Sequence, residues 1–466
     1  MTSTPIRTRM APSPTGDLHI GSLRTFLYAY AMARQTHGQF LLRIEDTDQK
    51  RLVVGAADRL QKVMHDFGLS WDGEPVVQSL RINIYQKYIK ELLDSGHAYY
   101  CFCTEERLVE VRNIQKAAKK IPKYDRHCLS LSKEEIDQKI KDGVPYVVRM
   151  RLPDHQDIVF NDLIRGEIKF NTSDLDDQVL MKSNGIPTYH FAVVVDDHLM
   201  DITHVIRAEE WISSTPKHIL LYRFFGWEPP QFAHLTVLLD PTHPGKMSKR
   251  FGSVFARQFL DDGYLPDALL NFLMLLGWNP GTNQELFTLD EFVKAFTFEH
   301  LHKKAAIFDR KKLDYFNGLY IRQKSVDELR PYFKKFLPQA SPEQVEGLIP
   351  VLKERLVKFS DLPELVKFLF EDVVYDKELL LKKGTSPELA RLMLEESIKL
   401  LSDFDNLSER LLKLVESHNW DKGEFFMVFR VAICGVAFTP PVVECLPALG
   451  QENTIRKLRL ALSLLE

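Results

Sequence analysis

Residues 9–25 read RMAPSPTGDLHIGSLRT. An apolar run, IRTRMA (6–11), leads into a proline-rich turn, PSPTG (12–16), and then into a helical pattern in which Leu23, Phe26, Leu27 and Tyr30 share a face. Pro12 and Pro14 fix φ in the turn, and Gly16 relieves crowding there. His19 therefore sits where a strand hands over to a helix. The unpaired N–H groups of a first helical turn and the positive end of its dipole favour an anion, and Gly21 lets a phosphate or a nucleobase approach the backbone. The pattern closes near Gly38, and QFLLRIED (39–46) reads as a returning strand. The stretch thus predicts a β-α-β unit with a site at the carboxyl edge of its sheet. Taken alone, a His-x-Gly at a helix start is more often a simple cap.

A second motif bears on that choice. GKMSKRFG (245–252) places Lys246, Lys249 and Arg250 in a loop with a glycine at each end, after the apolar run HLTVLL and the turn DPTHP. Cations on a loop suit the β- and γ-phosphates of ATP, whose charge must be neutralised as pyrophosphate leaves the α-phosphorus. A charge run by itself is more often a solvated face.

The chain has 466 residues, 45% apolar and 27% charged, enough for large cores and for about three or four domains of ordinary size. Its longest apolar runs, such as ALLNFLMLLGW (268–278), fall short of the roughly 20 residues a membrane span requires, and its first ten residues lack the apolar core of a secretory signal. A soluble, cytoplasmic protein is expected. A net charge of −3 excludes a general polycation and leaves room for local basic stripes, which nucleic acid needs. Three of the five cysteines fall within residues 101–128, a pattern that suggests a local site instead of a disulfide framework.

The style of the sequence changes near residue 320. Before it, strand-like runs, FLLRIED (40–46), VVRMRL (147–152), FAVVVDD (191–197) and HLTVLL (234–239), alternate with helical stretches, which predicts an α/β domain. After it, VDELRPYFKKFL (326–337), PEQVEGLIPVLKERL (342–356), PELARLMLEESIKLL (387–401) and SERLLKLVESH (408–418) carry apolar residues at helical spacing between Pro and Gly clusters, which predicts an all-helical tail.

With both motifs in this order, the chain resembles the class I aminoacyl-tRNA synthetases, and within them the glutamyl-tRNA synthetases. The likeness runs through residues 9–25, RIEDTD (43–48), GIPTYHFAVVVDDHLMDITHVIRAEEW (185–211), KMSKRFG (246–252) and DDGYLPDALLNFLMLLGW (261–278), and is less distinct in the helical third. It implies an α/β fold: a Rossmann-type parallel-sheet catalytic domain in two halves, 1–100 and 186–250, interrupted by an acceptor-binding insertion at 101–185. A stem-contact helical domain at 251–325 and an all-helical anticodon-binding domain at 326–466 follow.

The implied activity is ligation of L-glutamate to tRNA(Glu) with ATP and Mg²⁺, through a glutamyl-adenylate, with tRNA bound before the adenylate forms. The resemblance assigns catalysis to His19, Gly21, Lys246 and Lys249. It assigns ATP contacts to these residues and to Pro12, Gly16, Ser22, Met247, Ser248 and Arg250, with Ser22 standing where relatives commonly carry a second histidine. Two carboxylates must be desolvated to select glutamate, and guanidinium forks are the usual means. Arg9 and Arg207 match the family's substrate arginines, Tyr189 can donate to the side-chain carboxylate, and Ala11, Ser13 and Glu45 complete the glutamate site, Ser13 and Glu45 at the α-ammonium. Which arginine takes which carboxylate is open.

Some members of the family and its close relatives carry zinc through a C-x-C pair and a later cysteine. Here Cys101, Cys103 and Cys128 supply three thiolates, and Tyr124 stands four residues before Cys128 as in the version with a tyrosine ligand. Three reduced, partly buried thiols are the alternative. Basic stretches KAAKKIPK (116–123) and HKKAAIFDRKKL (302–313), the latter with Lys311 and Lys312, suit phosphate tracking, and Arg355 is a candidate anticodon contact. A monomer is expected.

Three other kinds of protein share parts of this pattern. Glutaminyl-tRNA synthetase carries β-barrel anticodon domains, and a truncated relative that glutamylates a modified tRNA base lacks the C-terminal region. A small-molecule adenylyltransferase or a nucleotide-binding module needs neither the arginine pair nor the helical tail. Whether tRNA(Gln) is also charged with glutamate is open.

Overall fold

The computed structural model describes residues 5–241, 245, 247, 254–381, 384–402 and 404–466. Two compact units make up the chain, Met1–Gln258 with Leu270–Asp309, and Phe259–Leu269 with Arg310–Glu466.

In the first unit, β1 (Arg7–Met10) runs through the proline turn into helix α1 (Ile20–Gln35) and returns as β2 (Gln39–Ile44), parallel to β1 with Arg9 opposite Leu41. This is the β-α-β unit that RMAPSPTGDLHIGSLRT predicts. The helix stops at Gln35, and Gly38 is needed just after it. A Cβ at Gly38 would lie 1.9 Å from the carbonyl oxygen of Ile6, where the chain turns against the entry to β1. β3 (Val76–Val77) extends the sheet on the far side of β2.

Residues 98–181 add two further pieces. β4 (Ala98–Cys101), β5 (Val147–Met150) and a later strand form an antiparallel sheet. Between them in the chain, β6 (Asp157–Asp162) and β7 (Gly166–Asn171) make a hairpin whose first strand alternates exposed and buried residues, the signature of a half-buried strand. The third strand of the antiparallel sheet is β8 (Val179–Met181). β9 (His204–Ala208) and β10 (Gln231–Leu235) are parallel, and β6 lies on the outer side of β10, with Phe232 opposite Asp162. Thr203, just before β9, donates its N–H to the Arg7 carbonyl at 3.0 Å, which sets β9 beside β1. The carboxyl ends of β1 and β9, on either side of this junction, hold Arg9 and Arg207.

Two strand expectations need correction. FAVVVDD is not a strand. It lies in the helix Tyr189–Leu199, where Phe191 through Asp197 are all buried. A short apolar, β-branched run fits a buried strand or an all-round buried helix equally, and here packing on both sides decides for the helix. HLTVLL is divided. β10 ends at Leu235, and Leu238–Leu239 form β11, which pairs with β12 (Ala306–Ile307). At the break, Thr236 gives its carbonyl to the Arg24 guanidinium and Val237 donates its N–H to Glu209 at 2.8 Å, so the backbone leaves the ladder to serve side chains.

The second unit is helical, and no strand follows Ile307 among the described residues. Helices Val326–Phe336, Pro342–Leu352, Pro387–Lys399 and Leu407–Ser417 fall where the apolar periodicity predicts. Ser325 with Glu328, and Ser341 with Gln344, form reciprocal capping boxes that start the first two. Leu329, Phe333, Leu348, Leu352, Leu411, Phe425 and Leu446 belong to one continuous core.

Candidate active site

A cleft of about 750 Å³ opens over the carboxyl ends of β1 and β9. Its walls include Arg9, Ala11, Pro12, Ser13, Gly16, His19, Gly21, Ser22, Glu45, Tyr189 and Arg207. Residues expected at a nucleotide and residues expected at an amino acid therefore share one cavity. Met247 is placed elsewhere: it is buried, donates its N–H to the Leu238 carbonyl at 2.9 Å, and does not line the cleft. Lys246, Ser248, Lys249 and Arg250 lie outside the described residues.

His19 is the N-cap of α1, and its Nδ1 accepts the Gly21 N–H at 3.0 Å. Capping thus uses only one of the two ring nitrogens. With Nδ1 accepting, the proton of the neutral imidazole sits on Nε2, which becomes a donor. Gly21 keeps room for this arrangement, since a Cβ there would meet His19 Nδ1 at 3.2 Å. Val254 and Ala256, downstream of the cationic loop, close backbone hydrogen bonds of 2.8 Å with Ile20 and Leu18 on either side of His19.

The two arginines are held differently. Arg9 donates from Nε to Asp197 at 2.9 Å, and Arg43 donates from Nη1 to the same oxygen at 2.6 Å and from Nη2 to Glu45 at 3.0 Å. All four side chains are buried. Burial alone would raise the Asp197 carboxyl, but Arg43 and Arg9 outweigh it and hold the group below its ordinary range. For Glu45 burial wins over Arg43 and Arg9, and its pKa is raised. A substrate ammonium beside Glu45 would favour its charged form.

Arg207 makes no ion pair among the described residues. Its Nε donates to His234 Nε2 at 3.1 Å, Nη1 to His218 Nδ1 at 3.1 Å and Nη2 to Thr215 at 2.9 Å. Burial lowers its pKa. Tyr189 stands on the same wall and packs on Trp211, ring centroids 4.4 Å apart.

Trp211 lines the cleft, Asp197, Arg43, His218 and His234 bond to residues that line it, and none of the five is among the sequence-predicted site residues. Arg43, Asp197 and Trp211 stand in the stretches RIEDTD, VVVDDH and VIRAEEW, nothing comparable marks His218 and His234, and the partners are far apart in the chain.

A separate cluster lies at the end of β4. The sulfurs of Cys101, Cys103 and Cys128 all lie within 4.8 Å of one another, and the Tyr124 hydroxyl is 3.3 Å from Cys101 Sγ and 3.4 Å from Cys103 Sγ. Tetrahedral Zn–S bonds of about 2.3 Å place sulfurs ~3.8 Å apart, so this donor set fits zinc in kind and spacing. Arg107 approaches Cys103 Sγ at 3.5 Å and the Arg149 guanidinium lies over the Tyr124 ring at 4.1 Å, two cations suited to an anionic cluster. His127 is exposed and takes no part in the cluster. In the helical unit, Lys311, Lys312 and Arg355 are exposed, and Arg355 Nη1 reaches the Thr439 carbonyl at 3.5 Å.

Comparison with known proteins adds three findings. A family model described as the catalytic domain of class I tRNA synthetases (E and Q) matches residues 5–315, and one for an anticodon binding domain matches residues 324–462. The chain is 44% identical to a glutamate–tRNA ligase of Clostridioides difficile, over 97% of this chain and 98% of the relative, and 43% identical to one of Alkaliphilus metalliredigens, over 96% and 97%. It is similar to the crystal structure of a glutamate tRNA ligase from Elizabethkingia meningosepticum in complex with its amino acid, with a TM-score of 0.89 and 36% identity over 99% of this chain and all of the other.

Proposed function

The chain belongs to the class I tRNA synthetases, and within them to the glutamate–tRNA ligases, and from that premise we propose how its cleft performs the reaction. An oxygen of the glutamate α-carboxylate attacks the α-phosphorus of ATP, the bond to the bridging oxygen breaks, and pyrophosphate leaves with that electron pair. The 3′-terminal ribose hydroxyl of tRNA(Glu) then attacks the mixed anhydride, forming the ester and releasing AMP. No protein nucleophile is needed, so catalysis is positioning and charge stabilisation.

His19 Nε2–H and the N–H groups at the start of α1 stabilise the phosphates, with Pro12, Gly16, Gly21 and Ser22 shaping the nucleotide side. Lys246, Lys249 and Arg250, with Met247 and Ser248 setting the loop, take the leaving group. ATP and Mg²⁺ are the general requirement of class I synthetases, and an ion arriving with ATP would supply further neutralisation of phosphate charge. Arg9, Arg207 and Tyr189 read the two carboxylates, while Ser13 and Glu45 hold the ammonium against the Ala11 backbone. The observation that carries this reading is the single cleft that joins the His19 helix start to the buried, carboxylate-free cation of Arg207.

Zinc in the Cys101, Cys103, Cys128 and Tyr124 set would tie β4 to the 124–128 segment and supply a fixed cross-link, with no part in the chemistry. Lys311, Lys312 and the 116–123 stripe meet the tRNA backbone, and Arg355 meets the anticodon. The division into a two-part catalytic domain (1–100, 186–250), an insertion (101–185), a stem-contact domain (251–325) and an anticodon domain (326–466) fits these roles. No helix among the described residues is long and apolar enough to cross a membrane, and cytoplasmic action as a monomer is part of the same reading.

Aminoacylation with radiolabelled glutamate on purified tRNA(Glu) and tRNA(Gln), with glutamine as competitor, tests it. Charging of tRNA(Glu) that unlabelled glutamine does not suppress is expected, the tRNA(Gln) arm decides discrimination, and no charging of either tRNA overturns the proposal.

A further inference from the structure

Arg207 sits in a hydrogen-bonded relay drawn from five separate elements. Arg207 is on β9, and His234 stands directly opposite it on β10. Asp162 ends β6, His218 comes from the helix Thr215–Phe224, and His190 from the helix Tyr189–Leu199. Arg207, His218, His234 and Asp162 are each at least 94% buried.

The protons of this relay follow from Arg207, which can only donate. His234 accepts at Nε2, so its proton is on Nδ1, which donates to Asp162 at 2.6 Å. The Asp162 carboxylate also accepts the N–H groups of His234, Ile164 and Arg165 at 3.1, 3.0 and 3.0 Å. His218 accepts at Nδ1, so its proton is on Nε2, which donates to His190 Nδ1 at 3.0 Å.

The consequence is electrostatic. A carboxylate beside Arg207 would satisfy its N–H groups and also cancel its charge, as Asp197 does for Arg9. Two neutral imidazoles and a threonine satisfy three of the five N–H groups and leave the charge standing. Asp162, the carboxylate of this relay, is set one imidazole away. A buried cation held in this way is a pre-oriented receptor for an arriving carboxylate, because little reorganisation remains to be done on binding.

We propose that His218 and His234 are positioning residues for substrate binding: each presents one ring nitrogen as an acceptor that orients the Arg207 fork toward a glutamate carboxylate while leaving its positive charge uncompensated. This rests on the reading that Arg207 takes a substrate carboxylate.

A crossed pair of amide substitutions tests it. An asparagine Oδ1 falls where Nδ1 was, and a glutamine Oε1 where Nε2 was. At position 218, His218→Asn keeps the acceptor for Arg207 and His218→Gln misplaces it. At position 234 the order reverses, with His234→Gln keeping the acceptor and His234→Asn misplacing it. The expected result is a KM for glutamate raised about tenfold or more in His218→Gln and His234→Asn, within about threefold of wild type in His218→Asn and His234→Gln, with the KM for ATP changed less than about twofold in all four. Packing damage alone would not invert the ranking between two sites. The same ranking at both sites, or an unchanged glutamate KM in all four, overturns the proposal. Arg207→Lys separates the premise: an unchanged glutamate KM there sinks the carboxylate role of Arg207, whereas a raised KM without the crossed pattern sinks only the role of the histidines.

Discussion

Arg9 and Asp197 form a buried ion pair, Nε to Oδ1 at 2.9 Å, and the same Oδ1 receives Arg43 Nη1 at 2.6 Å. One carboxylate thus holds two guanidiniums in the wall of the cleft. Removing its charge leaves two buried cations close together with Glu45 and Asp196 as counter-charges. Asp197→Asn is expected to destabilise the protein by about 3–5 kcal/mol, the usual cost of breaking a buried pair from one side. Urea unfolding measures this, and a loss below about 1 kcal/mol would mean the cations are balanced in another way.

The two jobs of His19 are separable. Asparagine is a good N-cap and can replace the acceptor for Gly21, but it offers no counterpart to the imidazole Nε2–H. His19→Asn is expected to melt within a few degrees of wild type while single-turnover adenylate formation, with tRNA present, falls about 10²–10³-fold, the range for one transition-state donor. A normal rate would return His19 to a capping role alone.

The entry to the cleft was legible because it is local. The order of turn, histidine, glycine and amphipathic face in residues 9–30 specifies strand, junction and helix with contacts near in sequence. The helical tail was legible for the same reason, in its 3.6-residue spacing between Pro and Gly clusters. What was not legible is long-range. Nothing near Arg207 in the chain announces His234, which reaches it by strand register, or Asp162, which reaches His234 through the edge of a third strand. FAVVVDD misled because a β-branched run buried on all sides carries no period with which to tell helix from strand.

The cysteine cluster predicts a metal. Protein purified without added zinc is expected to carry about one equivalent, and Cys128→Ser to carry little, since removing one of three thiolates weakens a structural site severely. Chelation is expected to lower the melting temperature of wild type and not of the variant. Less than about 0.2 equivalents in intact wild-type protein would establish three reduced thiols instead.

Arg355 is exposed, with its guanidinium near the Thr439 carbonyl. A base contact there is worth about 1–3 kcal/mol. Arg355→Gln is therefore expected to raise the KM for tRNA(Glu) about tenfold, with the KM for glutamate unchanged, and to blunt discrimination at the third anticodon position. Equal kinetics on tRNAs altered at that position, in wild type and variant alike, would remove Arg355 from anticodon reading.

Burial depresses the pKa of both histidines on one arm of the Arg207 relay, His218 well below its ordinary value and His190 to about 4, with Arg207 and Lys217 adding to the effect. The sign of the pH effect follows from the unfolded chain, where histidine titrates near ~6.5. As pH falls below that value the unfolded state binds protons that the folded state refuses, so stability is complete above about pH 6.5 and drains away down to the folded value near 4. For His190, which keeps some exposure, the loss is on the order of 2 kcal/mol by pH 4.5. The urea midpoint of wild type is expected to fall through this window and that of His190→Gln, which cannot titrate, to fall less. Parallel pH profiles would mean that His190 titrates alike in the folded and unfolded chain, and once charged it could still donate but could no longer accept the His218 N–H on which the arm depends.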